Sequence, residues 1–350
     1  MNYKWQKSEY PKKKGKTVFT TFACGGGSSM GYKMAGFDVI GANDIDPQMA
    51  KIYKHNHNPK HFFLCPIGDL LKMDLPDELY NLDILDGSPP CSTFSMAGSR
   101  EKNWKKKKKF REGQAEQHLS DLFFDWIALL KKLQPKIGIA ENVKGMLAGN
   151  AIAYTKMIMS EIEKAGYDVQ LFLLNGVTMG LPQARERVFF ICRRKDLKLP
   201  EIMLKFNEKP VTYADLRKQA TNIFGKALTN PLMLKLWEIT KAGNTFKKSH
   251  YSIATEEQLA RKSFTGSYFN TYKLSPHKPL PTITASRGGG LLDFQKPYHV
   301  SDEILCLASS FPTDYDYLDI DPKYLTGMSV PPKMVYEVST QVYKQLLSLL

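Results

Sequence analysis

Residues 17–29 have the sequence TVFTTFACGGGSS, and this stretch decides the fold class. The β-branched and apolar run Thr17–Ala23 predicts a strand, three glycines and two serines then break it, and Met30–Ala35 predicts a helix. A glycine turn between a strand and a helix can bring backbone N–H groups against a ligand. Its spacing differs from that of the dinucleotide-binding fingerprint, so the turn alone does not indicate a nicotinamide cofactor.

The rest of the first half alternates strand-like and helix-length segments. Apolar runs at Phe37–Ala42, Leu82–Leu85 and Ile137–Ala140 predict further strands. Apolar residues at three- and four-residue intervals between Leu119 and Leu133 predict a helix with one buried face. This alternation predicts an α/β fold with a Rossmann-like parallel sheet and helices on both faces. Such sheets bind ligands outside the carboxyl ends of their strands, where the candidate residues lie.

The net charge of +14 is unevenly distributed over the 350 residues. Residues 1–16 hold six lysines and one acidic residue, and residues 100–112 hold eight basic and two acidic side chains. Residues 196–298 hold sixteen basic and eight acidic side chains. Three basic regions indicate contact with a polyanion, although solvated lysine gives the same composition. No run approaches the roughly 18 apolar residues of a membrane span. Five scattered cysteines indicate free thiols in a reducing cytosol, and their spacing fits no metal site.

A thiol and a carboxylic acid follow two neighbouring predicted strands. Pro89-Pro90-Cys91 comes after the third strand, and Glu141 ends the fourth. The prolines stiffen the turn and fix the direction of the thiol, although a lone Pro-Cys pair is more often structural. Together, a thiolate and an acid can attack an aromatic ring carbon while a proton goes to a ring nitrogen. Arg185 and Arg187 could anchor a carbonyl oxygen and the acid, with a structural ion pair as the alternative for each.

Acidic residues follow the glycine turn in an order that suits a nucleoside. Asp44 ends the second predicted strand, where an acid can accept hydrogen bonds from a ribose diol, and Ile45 offers a purine an apolar face. Asp69, beside Leu70, can accept a hydrogen bond from an exocyclic amine. Each is an ordinary loop residue if taken alone, but their order favours a nucleoside pocket.

These motifs resemble those of the DNA (cytosine-5) methyltransferases of the bacterial or phage type, over nearly all of the chain except the middle of 200–280. Pro90-Cys91 resembles the nucleophile motif of that family, and Glu141-Asn142-Val143 resembles its base-recognising motif. Gln183 to Arg187 resembles the pattern Gln-x-Arg-x-Arg. Gly327–Pro332 resembles the last cofactor motif, with Met328 where asparagine is usual. The resemblance implies the catalytic residues Cys91, Glu141, Arg187 and Arg185.

The resemblance also implies S-adenosyl-L-methionine as the cofactor, and therefore the sheet of an S-adenosylmethionine-dependent methyltransferase. The residues expected to bind the cofactor are Phe22, Ala23, Gly25, Gly26, Gly27, Asp44, Ile45, Asp69, Leu70, Pro90, Leu122 and Ser329.

The implied reaction is methyl transfer to C5 of cytosine in a specific double-stranded DNA sequence. Cys91 would add covalently to C6 while Glu141 engages N3 and the N4 amine, and Arg187 would contact the base. The cytosine has to leave the stacked duplex for this chemistry. The alternatives are a tRNA cytosine-5 methyltransferase and a catalytically silent DNA-binding relative. The basic middle segment favours duplex DNA, and the intact catalytic set argues against a silent protein.

The resemblance divides the chain into two domains. Residues 1–199 and 299–350 would form the catalytic domain, and residues 200–298 a smaller target recognition domain that binds DNA. Residues 98–113 would be a mobile lysine-rich clamp that binds phosphates without reading sequence. The residues expected to contact DNA are Ser92, Arg100, Lys105, Lys106, Lys107, Arg261, Lys262 and Arg287.

The expected partner is double-stranded DNA. We expect a monomer in the cytoplasm of a bacterial or phage-infected cell, with no metal ion and no membrane contact. A cognate restriction endonuclease that acts separately, as in a restriction-modification system, is compatible with the resemblance.

Overall fold

The structure is a computed structural model, and it describes residues 2–90, 122–149, 151–247, 249, 270–285 and 290–350, with the backbone alone at 107–108 and 117–118. The chain divides into two compact units. The larger unit comprises Ser8–Asn175, Glu186–Phe206 and Ser329–Leu350. The smaller unit comprises Met1–Lys7, Gly176–Arg185 and Asn207–Met328.

Strands and helices alternate through the larger unit. The strands of the chain are β1 (Thr17–Thr21), β2 (Asp38–Asp44), β3 (His61–Leu64), β4 (Ile84–Gly87), β5 (Lys107–Lys108), β6 (Gln117–His118), β7 (Ile137–Val143), β8 (Tyr167–Asn175), β9 (Gln183–Ala184), β10 (Glu186–Arg194), β11 (Phe224–Ala227), β12 (Asn244–Thr245), β13 (Tyr272–Lys273), β14 (Leu280–Pro281), β15 (Leu291–Leu292) and β16 (Tyr298–Val300). The α-helices are α1 (Gly27–Met34), α2 (Pro47–His57), α3 (Ile67–Leu70), α4 (Leu122–Leu133), α5 (Ala151–Lys164), α6 (Tyr213–Gln219), α7 (Pro231–Ile239), α8 (Asp302–Ala308), α9 (Pro322–Met328) and α10 (Pro332–Gln345). Short 3₁₀ helices lie at Lys7–Glu9, Asp77–Asn81, Lys144–Leu147, Gly176–Met179, Lys195–Leu197 and Leu347–Leu349.

One seven-stranded sheet organises the larger unit, in the order β3-β2-β1-β4-β7-β10-β8. Each neighbouring pair from β3 to β7 is parallel, whereas β10 pairs antiparallel with both β7 and β8. The predicted α/β sheet is confirmed, but it is mixed rather than wholly parallel. Because β10 runs in the opposite direction, its first residues meet the carboxyl end of β7.

Helices cover both faces of this sheet, as predicted. On one face Tyr32 of α1 contacts Asp86 of β4, and on the other Trp126 of α4 lies against Gly87 of the same strand. Consecutive strand residues point to opposite faces, so β4 contacts both helical layers. The predicted amphipathic helix is α4, and its buried residues are Leu122, Phe123, Trp126, Ile127, Leu129, Leu130 and Leu133.

Two predicted strands are longer at their carboxyl ends than the apolar runs indicated. β2 continues to Asp44 because it pairs with β3, a strand that the apolar pattern did not predict. β7 continues to Val143 because Glu141 and Val143 pair with Phe189 and Arg187 of β10. Both candidate acids, Asp44 and Glu141, are therefore held inside a strand ladder rather than in a loop.

The smaller unit contains a five-stranded sheet in the order β11-β16-β15-β13-β12. Its core includes Tyr213 of α6, Leu280 and Ile304, together with Tyr3 from the lysine-rich start of the chain. Residues 299–328 lie in this unit and not with the seven-stranded sheet, so the compact units differ from the predicted domain boundaries. In the part of the chain that the structure describes, no helix combines the length and the apolar character needed to cross a membrane.

Candidate active site

The glycine turn after β1 is held by close contacts on both sides. Gly26 has φ 86°, and a Cβ there would lie 2.0 Å from His57 Nε2 of α2. A Cβ at Gly27 would lie 2.2 Å from the carbonyl oxygen of Val330, just before α10. His57 Nε2 is also 3.2 Å from the carbonyl oxygen of Gly25. Only glycine fits at positions 26 and 27, because the first needs a left-handed backbone and both leave no room for a side chain.

Asp44 connects the end of β2 to this turn. Its Oδ2 accepts a hydrogen bond from the Cys24 backbone N–H (2.7 Å), and its Oδ1 accepts one from Asp46 (2.8 Å). Burial raises the pKa of Asp44 to about 6, against the opposing effect of these N–H donors. Each carboxylate oxygen keeps a second lone pair, so Asp44 can still accept a hydrogen bond from a ligand hydroxyl.

The other predicted nucleoside contacts differ in their exposure. Ile45 is partly exposed after β2, and the Asp69 carboxylate is exposed in α3, 3.9 Å from Lys72 Nζ. Leu70 and Leu122, in contrast, lie in the hydrophobic core of the larger unit. Both side chains pack in this core, and contact of either residue with the cofactor stays a prediction.

Glu141 and Arg187 form an ion pair at the carboxyl end of β7. Arg187 Nε lies 2.8 Å from Glu141 Oε1, and both side chains are largely buried. Arg187 Nη1 also donates to the carbonyl oxygen of Glu186 (2.8 Å). The pair forms because β10 is antiparallel to β7, which brings the first residues of one strand beside the last residues of the other. An adjacent guanidinium favours the ionised form of a buried carboxyl group.

The segment that leads to Cys91 is anchored to the same strand end. Asn142 Nδ2 donates to the carbonyl oxygen of Pro89 (3.0 Å), and both residues are buried. Pro90 follows and is partly exposed. In the sequence Asn142 was recognisable only as part of a motif, because its function as an anchor depends on the strand pairing.

Several predicted site residues lie outside the described part of the chain. They are Cys91, Ser92, Arg100, Lys105, Lys106, Arg261, Lys262 and Arg287. Lys107 is described by its backbone alone, in β5, which pairs antiparallel with β6.

Arg185 lies in the smaller unit and binds backbone carbonyl groups there. Its guanidinium donates to the carbonyl oxygens of Ile283 (3.0 Å) and Gly327 (3.1 Å). Gln183 accepts from the Ile283 N–H (3.1 Å) and donates to the carbonyl oxygen of Ala308 (3.2 Å). These contacts hold the guanidinium against backbone groups of the smaller unit, and a catalytic function of Arg185 stays a prediction.

The last predicted cofactor motif lies against the glycine turn. Ser329 is buried, and its Oγ is 3.9 Å from Cys24 Sγ, which in turn is 3.6 Å from Met49 Sδ. The glycine turn, the end of β2 and the start of α10 therefore share one region of the larger unit.

Sequence inspection missed one buried carboxylate in this region. Asp86 of β4 is 3% exposed, and it accepts hydrogen bonds from Thr20 Oγ1 (2.7 Å) and the Tyr32 hydroxyl (2.9 Å). Burial is the largest cause that raises its pKa to about 7, and the charge of Glu141 adds to that shift. The available signal was an acid that directly follows the apolar run Leu82–Leu85, inside the same strand.

The comparisons with known proteins point to one family. A family model described as C-5 cytosine-specific DNA methylase matches residues 17–344. Type II methyltransferase M.FnuDI of Fusobacterium nucleatum is 38% identical over 186 residues, which cover 52% of this chain and 48% of that protein. Type II methyltransferase M.MthTI of Methanothermobacter thermautotrophicus is 26% identical over 340 residues, which cover 94% of this chain and 97% of that protein. The chain thus spans about half the length of M.FnuDI and, at 49%, of M.NgoPII of Neisseria gonorrhoeae.

A solved structure supports the fold. A crystal structure described as a DNA modification methyltransferase encoded within an E. coli prophage has a TM-score of 0.66 and 20% identity, and it covers 95% of this chain and 99% of that one. The family match runs from β1 to α10 and includes the ends of β1, β2, β4 and β7. The chain therefore belongs to the family of C-5 cytosine-specific DNA methylases.

Proposed function

We propose that this protein transfers the methyl group of S-adenosyl-L-methionine to C5 of a cytosine flipped out of a specific double-stranded DNA sequence. The observation that carries the proposal is the pair of contacts at the carboxyl end of β7. Glu141 is paired there with Arg187, and the neighbouring Asn142 holds the carbonyl oxygen of Pro89, two residues before Cys91. A carboxylic acid and the segment leading to a thiol are thus anchored to consecutive residues of one strand.

The residues around the glycine turn fit an adenosyl group. The turn offers backbone N–H groups, Asp44 offers acceptors for ribose hydroxyls, and the partly exposed Ile45 offers an apolar surface to a purine. Asp69 has an exposed carboxylate for an exocyclic amine, and Ser329 closes the region from the side of α10. When bound, the cofactor would supply an electrophilic methyl group on a sulfonium sulfur.

Glu141 would bind the cytosine edge that carries N3 and the N4 amine. In the free protein the adjacent Arg187 favours the carboxylate form, so a proton has to be shared between Glu141 and N3 when the base binds. Arg187 would fix the orientation of that carboxyl group and contact the base from the same side. A proton held on N3 makes C6 a better electrophile, which favours attack by a thiolate.

Cys91 would be the nucleophile. Its thiolate adds to C6, and the electrons displaced from the ring make C5 nucleophilic. Once C5 has accepted the methyl group, loss of the C5 proton expels Cys91 and restores the aromatic ring. The prolines before Cys91 hold the backbone in place during both steps, because the position of Pro89 is fixed by Asn142.

The basic regions suit a polyanionic substrate. Chemistry at C5 and C6 requires an unstacked base, and phosphate contacts hold the duplex in register while the base is out. The lysine-rich segment 100–112 and the basic segment 196–298 would supply these contacts. The proposal includes a monomer acting in the cytoplasm, with any cognate endonuclease acting separately.

Methyl transfer from radiolabelled cofactor to duplex DNA and to tRNA tests this proposal. We expect transfer to DNA, loss of transfer in Cys91→Ser, and no loss in the control Cys306→Ser, whose thiol lies in the smaller unit. A 5-fluorocytosine duplex should form a covalent complex with the wild type, because the missing C5 proton prevents expulsion of Cys91. Transfer to tRNA alone, or full activity of Cys91→Ser, would contradict the proposal.

A second experiment identifies the recognition sequence. Expression in a host without DNA methylation, followed by sequencing of methylated cytosines, should show one short sequence context. Unmodified DNA from cells that contain the folded protein would favour the alternative that this protein is a catalytically silent DNA-binding relative.

A further inference from the structure

The buried acids of the larger unit differ in how their charge is balanced. Asp83, directly before β4, lies 2.7 Å from Lys136 Nζ and 3.7 Å from Lys16 Nζ. Glu141 is paired with Arg187. Asp86 lies in β4, three residues after Asp83, but among the described residues no lysine, arginine or histidine forms an ion pair with it. Within the described ranges, its charge is therefore balanced by hydroxyl groups.

Those hydroxyl groups come from both ends of the glycine turn. Thr20, in the last part of β1, donates to Asp86 Oδ2, and Ser28, directly after Gly27, acts to lower the pKa of the carboxyl group. Tyr32, one turn further along α1, donates to Oδ1. The carboxylate thus joins a residue that precedes the turn to one that follows it.

The protonation state of Asp86 would respond to a cation bound nearby. The hydrogen bonds from Thr20 and Tyr32 favour the ionised form, whereas burial disfavours it and raises the pKa to about 7. At neutral pH the carboxyl group is therefore divided between its two forms. A positive charge bound beside it would favour the carboxylate, and the carboxylate would in turn strengthen the binding of that charge.

We propose that Asp86 is the counter-charge for the cationic methionine end of S-adenosylmethionine, and that it favours this cofactor over S-adenosylhomocysteine, which lacks the sulfonium charge. This inference rests on the proposed function, because it takes the glycine turn as the seat of the cofactor. The two ligands share the adenosine, the ammonium and the carboxylate groups. Asp86 would therefore act on the ratio of their affinities, through the one charge by which they differ.

Other titratable groups near Asp86 leave this ratio unchanged. The Tyr32 and Tyr53 phenols have raised pKa values through burial and stay neutral at physiological pH. Glu141, on β7, keeps its ion pair with Arg187. Asp44 titrates with a pKa of about 6, but its proposed partner is the ribose, which both ligands carry. Asp86, in contrast with these four groups, is hydrogen-bonded to residues on both sides of the turn.

Isothermal titration calorimetry of the full chain with S-adenosylmethionine and S-adenosylhomocysteine tests the proposal. For the wild type, the ratio of the two affinities should rise several-fold between pH 6 and pH 8, as Asp86 loses its proton. Asp86→Asn keeps acceptors for the hydroxyl groups but removes the charge. It should weaken S-adenosylmethionine about tenfold, or ~1.4 kcal/mol, with much less effect on S-adenosylhomocysteine.

Asp83→Asn is the matched control, since it removes a buried carboxylate that lies three residues before Asp86 and already has lysine partners. It should leave the affinity ratio as in the wild type. Equal loss of both affinities in Asp86→Asn, or a wild-type ratio independent of pH, would overturn the inference. If Asp86→Asn does not fold, the wild-type pH dependence decides alone. Failure of the wild type to bind either ligand would instead contradict the proposed function.

Discussion

Glu141 is held in place by an arginine that it also needs for its proposed chemistry. The ion pair with Arg187 is largely buried, so neither group exchanges its partner for water without a large loss of free energy. A cytosine edge that offers N3 and the N4 amine could replace part of that interaction with hydrogen bonds to the same carboxyl group. The pair therefore prepares the position of the carboxyl group before a base arrives.

Substitution of Glu141 by glutamine should separate catalysis from folding. Glutamine keeps an oxygen for Arg187 but cannot share a proton with N3, so we expect methyl transfer to fall by about 10²-fold or more. Glu186→Gln is the control, because the ion pair of Glu186 with Lys144, 2.9 Å away, is exposed. That control should change activity and unfolding free energy little. Single-turnover methylation and urea unfolding measure both effects, and near-normal transfer by Glu141→Gln would exclude its catalytic role.

Asp86 should make the stability of the protein depend on pH. Its pKa is about 7 in the folded protein and lies near the ordinary value of 3.8 in the unfolded chain. Between these values the folded state binds the extra proton, so stability is present at low pH and is lost as pH rises through 7. Asp86→Asn removes this loss. Relative to the wild type, its unfolding free energy should rise by roughly 3 kcal/mol between pH 5 and pH 8.

Urea unfolding at the two pH values measures this difference. Asp83→Asn is again the control, because its lysine partners compensate the buried charge at both pH values. An equal difference between Asp86→Asn and the wild type at pH 5 and pH 8 would show that Asp86 keeps an ordinary pKa in the fold.

At the scale of single elements, the glycine turn is shaped by its neighbours α2 and α10. Gly26→Ala should be strongly destabilising, because it combines a positive φ with a Cβ position 2.0 Å from His57 Nε2. Gly166→Ala is the matched control: Gly166 has φ 97°, but a Cβ there meets open space. We expect Gly26→Ala to lower the unfolding free energy by at least ~2 kcal/mol more than the control. It should also abolish binding of S-adenosylmethionine, and equal effects of the two variants would contradict the packing argument.

The turn was visible in the sequence, but the reason for its glycines was not. Residues 17–29 carry the pattern of strand, glycine turn and helix, which local propensity alone can predict. The contacts of Gly26 with His57 and of Gly27 with Val330 join positions that are far apart in the chain. The direction of β10 was hidden for a similar reason, because an apolar run such as Val188–Cys192 is the same in a parallel and an antiparallel strand.

At the scale of the whole molecule, the motif residues Glu141 and Arg187 lie together, whereas the compact units do not follow the boundaries that the resemblance implied. Glu141 and Arg187 were predicted from their motifs and are in contact, 2.8 Å apart. Residues 299–328 were assigned to the catalytic domain, yet they share a compact unit with 207–298. That grouping depends on long-range packing, such as Ile304 in one core with Tyr213 and Tyr3, which composition does not encode. Asp86 was missed because its partners come from two other elements.

The net charge of +14 leads to a prediction about the whole molecule on DNA. If the consecutive lysines 105–109 bind phosphates, replacing all five by glutamine should weaken DNA binding. The slope of log K against log salt should then fall in magnitude by about 0.9 for each phosphate that is no longer neutralised. Replacement of Lys131, Lys156 and Lys164, which are exposed in the larger unit and lie outside the basic segments, is the control and should change the slope little. Affinities for S-adenosylmethionine should stay the same in both variants, because no lysine is among the predicted cofactor contacts. An unchanged salt slope after replacement of lysines 105–109 would assign that run to solvation and leave the residues of 196–298 as the phosphate contacts.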